Sequence, residues 1–114
     1  MAVPLVRVVA GTAKGVRLAP VPRGVRPVSD MAREGVFSRL GELVRGARVL
    51  DLYAGTGALA IEALSRGAPS AVFVEQDGAA LRALRDNVER LGLADQARVM
   101  RADAARAIGE LEAA

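Results

Sequence analysis

Cysteine, histidine and tryptophan are missing from the 114 residues, and Phe37, Tyr53 and Phe73 supply every aromatic ring. Without thiols or imidazoles the chain has no disulfide, no cysteine nucleophile, no Ser-His-Asp triad and none of the usual zinc ligand sets, so no metal site is expected. Chemistry falls to carboxylates, hydroxyls, backbone groups or a bound cofactor. No apolar run approaches the roughly 20 residues of a membrane-spanning helix, and the N-terminus lacks a basic segment followed by a signal-type apolar core. A cytoplasmic chain without a membrane partner is expected. The length suits one domain with one core.

Charge of one sign is also scarce locally. The net charge is only +3, yet the residues through Arg48 carry nine Lys/Arg against three acids, whereas those from Val49 onward carry seven against ten. A basic first part beside a slightly acidic second part suggests an arm that meets a polyanion, next to a cofactor domain. The arm begins with two short apolar stretches, 5–10 and 16–18, joined by the glycine-bearing turn 11–15, which reads as a β-hairpin. It holds Arg7, Lys14 and Arg17. The following segment, with prolines at 20, 22 and 27, is kept out of helices and sheet interiors and reads as a surface strap bearing Arg23 and Arg26.

A helix is expected from Ser29 or Asp30, either of which can cap it, to about Val44. Val36, Phe37, Leu40, Leu43 and Val44 share one face and read as core contacts, while Gly35 and Gly41 oppose the helix by roughly 1 kcal/mol each relative to alanine. From Arg48 strand and helix alternate: a strand to Leu52, a helix 58–66, a strand 71–74, a helix capped by Asp77, a strand 98–100 and a helix from about Ala104. In the third helix Leu81, Leu84, Val88 and Leu91 recur at helical spacing, and in the last Ile108 and Leu111 are expected to face inward. Repeated βα units predict an α/β fold with parallel strands and a ligand at their carboxyl ends.

The stretch Asp51-Leu52-Tyr53-Ala54-Gly55-Thr56-Gly57 joins the first strand to its helix, and its glycines allow a tight bend and close approach of a ligand. Gly55-Thr56-Gly57 with Ala60 also fits the loose dinucleotide pattern, so the glycines alone leave the cofactor open. The acids narrow it. Asp51 would face the pocket, where a pyrophosphate is repelled and the ammonium and sulfonium of S-adenosylmethionine are attracted. Glu75, at the end of the second strand, is placed to accept from ribose hydroxyls, and Asp103, after the third, to accept from the adenine amine. Asp77 and Asp103 are equally readable as helix caps. A dinucleotide-dependent oxidoreductase is the weaker alternative, disfavoured by Asp51 and by the lack of acid-base residues.

Several blocks taken together resemble the bacterial small-subunit rRNA guanine-N2 methyltransferases, the RsmD-like family of class I methyltransferases. They are residues 9–18, Arg26-Pro27 with Asp30, Arg33, Glu34 and Phe37, residues 51–59, residues 62–68 and residues 73–77. The resemblance implies a Rossmann-like sheet, here its first three βα units, behind an N-terminal β-hairpin and helix. It implies methyl transfer from S-adenosylmethionine to the exocyclic N2 of a guanine in small-subunit rRNA or in an assembling small subunit. Asp51, Tyr53, Gly55, Thr56, Gly57, Glu75 and Asp103 would hold the cofactor. Arg7, Lys14, Arg17, Arg23, Arg26 and Arg33 would face RNA, with residues 1–28 as the RNA-facing arm and 29–114 as part of the cofactor domain.

In such amino methyltransferases a fourth strand ends in an Asp/Asn-Pro-Pro-aromatic motif that grips the target amine and stacks on the base. The prolines here stand at 4, 20, 22, 27 and 69, none after Asp or Asn, and the motif is absent. No catalytic residue is therefore assigned within the chain. The expectation is the N-terminal part of a methyltransferase whose first strand keeps an unpaired edge through which the chain self-associates. The alternative function is a non-catalytic module that binds cofactor, RNA or both.

Overall fold

The computed structural model describes residues 6–113. Three parallel strands, β1 (Arg48–Asp51), β2 (Ser70–Glu75) and β3 (Ala97–Arg101), lie side by side in chain order. Four helices accompany them: α1 (Asp30–Leu40), α2 (Ala58–Ser65), α3 (Gly78–Arg90) and α4 (Ala104–Ala113). The α/β expectation holds, with the boundaries from Arg48 onward shifted by one or two residues.

Alternate residues of β2 serve two cores. Ala71 and Phe73 join Ile61, Leu64, Leu81, Leu84 and Val88 of α2 and α3, while Val72 and Val74 join Met100, Ala107 and Leu111 on the α4 side. The central strand is thus covered on both faces, as parallel strands require. α2 is buried at every residue except Leu59, because the sheet lies on one side and the N-terminal segment on the other. A helix this enclosed is apolar nearly all round, and its polar exceptions, Glu62 and Ser65, meet the N-terminal segment.

Three expectations need correction. Instead of a regular hairpin, the N-terminal segment forms one isolated antiparallel bridge, Arg7 to Arg17, with flanking hydrogen bonds from Val8 N–H to the Val16 carbonyl and from Leu18 N–H to the Val6 carbonyl. Its main-chain groups bond to α2 instead of extending a ladder, and Leu5, the expected first strand residue, lies outside the described residues. The first helix, capped by the Ser29 hydroxyl, stops at Leu40; Gly41 breaks it, and Gly41–Gly46 continue as a 3-10 helix. Its stripe is only partly core: Phe37 and Val44 are buried, but Val36, Leu40 and Leu43 are exposed. In α4, Ala107 rather than Ile108 is the buried residue.

Those exposed side chains of the first helix and its extension, with Leu50 of β1, line an apolar groove of about 340 Å³ beside the free edge of β1. Among the described residues β1 pairs only with β2.

Candidate cofactor and RNA site

The loop between β1 and α2 is built by main-chain bonds. Ala54 N–H donates to the Val74 carbonyl (2.9 Å) and Gly57 N–H to the Ala54 carbonyl (2.8 Å). Gly57, at φ +89°, is demanded by packing, since a Cβ there would lie 2.5 Å from Leu84 Cδ1. Gly55, at φ +58°, is different: a Cβ would meet nothing nearer than Val25 Cγ1 at 3.9 Å. The backbone at Gly55 is therefore open to a ligand. Thr56 is buried, and its carbonyl accepts from the Asn87 side chain.

The acids gather around this loop. Glu75 Oε1 accepts from Gly55 N–H (2.7 Å) and Oε2 accepts from the N–H groups of Gln76 and Asp77 (3.0 and 2.9 Å), tying the end of β2 to the loop after β1. Asp51 Oδ1 accepts from Tyr53 N–H. Asp103 caps α4 through Arg106 N–H, and Asp77 caps α3 through Ala80 N–H. Leu52, Tyr53, Glu75, Gln76 and Asp103 line one small pocket of about 40 Å³ at the carboxyl ends of the strands. Asp51 lies across Tyr53 from it, on the groove side.

Burial pushes the Asp51 carboxyl above the usual aspartate range; the Tyr53 N–H opposes that shift, and the nearby Glu75 charge adds to it. None of Asp51, Glu75 or Asp103 forms an ion pair among the described residues. Acids without ion-pair partners on either side of Tyr53 favour a cationic ligand over a pyrophosphate.

On the arm, Arg7, Lys14, Arg17, Arg23 and Arg26 are all exposed and, among the described residues, form no ion pair. Arg7 and Arg17 face each other across the one bridge, a like-charge pairing that is unfavourable without an anion. Arg33 departs from the expected set. It is fully buried, its guanidinium donating to Glu62, Asp30 and the Arg7 carbonyl, and its Nε has no partner. Such an arginine is held inside the fold and is not offered to phosphate.

The partner of Arg33 is a residue to which the composition and spacing assigned no role. Glu62, also fully buried, accepts from Val9 N–H and Ala10 N–H (2.9 and 3.0 Å), Arg33 (3.0 Å) and Arg66 Nε (2.9 Å). Ser65 adds bonds to Ala13 N–H and the Ala10 carbonyl, and Asn87 accepts from Ala19 N–H. A glutamate in the otherwise apolar run Ala58 to Leu64 was the available signal.

A three-stranded parallel sheet flanked by helices, with a glycine loop after its first strand, has the architecture of a methyltransferase-type α/β domain. Residues 6–114 match the family described as conserved hypothetical protein 95, and the chain belongs to that family, the RsmD-like methyltransferases. Ribosomal RNA small subunit methyltransferase D of Escherichia coli is 41% identical over 101 residues, covering 87% of this chain and 50% of the relative. The Haemophilus influenzae protein of the same name is 36% identical over 87 residues, covering 75% and 45%. The structure of a hypothetical protein from Thermus thermophilus superposes with a TM-score of 0.83 at 41% identity, over 95% of this chain and 61% of that one. The chain spans about half the length of the curated relatives it matches.

Proposed function

We propose that this chain binds S-adenosylmethionine at the Asp51 to Gly57 loop and presents it to a guanine of small-subunit rRNA for methylation at the exocyclic N2. The supporting observation is that Glu75 and Asp103 line one small pocket, Glu75 is bonded to the N–H of Gly55, and Asp51 is near enough to Glu75 to feel its charge, none of the three forming an ion pair among the described residues. Asp51 would balance the cofactor's positive charge, Glu75 would accept from the ribose hydroxyls, and Asp103 from the adenine amine. Tyr53, 81% exposed, stands between the small pocket and the groove and would border the bound cofactor. S-adenosylmethionine supplies an electrophilic methyl group on its sulfonium.

The exposed cations Arg7, Lys14, Arg17, Arg23 and Arg26 would contact phosphates and position the RNA, without reading its sequence. Small-subunit rRNA as substrate rests on the names of the relatives, and a cytoplasmic setting follows from that substrate. No helix among the described residues is long and apolar enough to cross a membrane.

A second reading is binding of cofactor, RNA or both without transfer. A radiolabelled methyl-transfer assay on immature small subunits separates the two. Label appearing in rRNA guanine supports the first. Cofactor and RNA binding without label supports the second.

A further inference from the structure

The amide of Asn87 joins two parts of the molecule that the proposed function uses separately. Asn87 lies on α3 and is fully buried. Its Oδ1 accepts from Ala19 N–H at 2.6 Å, where the strap leaves the core, and its Nδ2 donates to the Thr56 carbonyl at 2.9 Å, inside the glycine loop. Both bonds are buried, and the partners are 68 and 31 residues away in sequence. One side chain therefore fixes the main chain of the cation-bearing strap and the main chain of the cofactor loop to the same point.

A second feature brings the same two segments close together. Val21 of the strap is buried in the main core, and four residues later Val25, between exposed Arg23 and Arg26, is the strap side chain nearest the open position at Gly55. A phosphate backbone held by Arg23 and Arg26 would pull on a segment that runs close to the glycine loop and is bonded to it through Asn87. Buried amide bonds of this kind are costly to leave unmade, so the strap and the loop have little freedom to move independently.

We infer that Asn87 is a positioning residue that couples RNA binding on the strap to cofactor binding in the Gly55–Gly57 loop, so that each ligand strengthens the other. The inference rests on the proposed function, because it needs both ligands to bind. It predicts a reciprocal coupling that a residue serving stability alone would not carry.

The test is calorimetric titration of S-adenosylmethionine into the full chain, alone and with a saturating transcript of small-subunit rRNA. In the unsubstituted chain RNA is expected to raise cofactor affinity by about fivefold or more, the lower end of ordinary allosteric coupling. Asn87→Asp keeps the acceptor for Ala19 and loses the donor to Thr56, and Asn87→Ala loses both. In either, the ratio is expected to fall to about one. Thermal melts identify any variant that fails to fold. Val25→Ala, which leaves the buried amide in place, then serves instead and is expected to lower the same ratio. Independent binding of the two ligands to the unsubstituted chain overturns the coupling while leaving the proposed function intact. A ratio unchanged in folded variants overturns it as well. Failure of the unsubstituted chain to bind either ligand removes the proposed function and the coupling together.

Discussion

Asp51 shows how burial acts on a single carboxylate. Its carboxyl is raised above the ordinary value by burial and by Glu75, against the lowering effect of Tyr53 N–H. The native state therefore retains a proton over a pH range in which the unfolded chain, near pKa 3.9, has lost it. Native-state proton uptake exceeds that of the unfolded state in this window, so the Asp51 contribution to stability falls as pH rises through it. Asp51→Asn is accordingly expected to raise the melting temperature of the ligand-free chain at about pH 7.5, with the gain disappearing near pH 3. The same variant is expected to weaken cofactor binding, because it removes the charge that faces the cation. Melting curves at the two pH values, paired with one calorimetric titration, check both signs. A variant that melts lower than the parent at the higher pH would contradict the assignment of an unfavourable buried charge to Asp51.

Among the elements, α2 carries the polar ties to the N-terminal segment. Glu62 uses both oxygens on two main-chain N–H groups and two arginines, and it fastens the N-terminal segment and α1 to the sheet. Glu62→Gln would remove the buried charge partner of Arg33 and leave only the largely exposed Asp30, and it is expected to cost up to roughly 3–5 kcal/mol in chemical denaturation, the range for breaking a buried ion pair from one side. The βα rhythm, the Asp77 cap and the leucines of α3 were legible in the sequence because they are local and periodic. Arg33 was not: charge alone reads as surface, and only the three-dimensional meeting with Glu62 shows that it is interior. The same holds for Asn87, whose two partners are far away in sequence. Leu40 and Leu43 fit the core stripe by spacing, but Gly41 breaks the helix between them and the groove beside β1 leaves them exposed.

At the scale of the whole molecule, the proposed RNA-facing arm and the proposed cofactor pocket lie on different segments of the chain. Five exposed cations lie on the N-terminal arm, and the uncompensated acids lie at the strand ends. If that arm meets phosphates, the logarithm of the RNA association constant should fall with the logarithm of salt concentration at a slope of about −2 or steeper, each Arg→Ala change on the arm reducing it by about 1. A flat response would return the arm to an ordinary solvated face. The central claim concerns the cofactor, and calorimetric titration of S-adenosylmethionine against the chain and its Glu75→Ala variant tests it most directly. Glu75 both faces the small pocket and fixes Gly55, so binding to the chain and at least about a tenfold loss in the variant are predicted. Tighter binding of NAD than of S-adenosylmethionine, or equal binding by chain and variant, would contradict it.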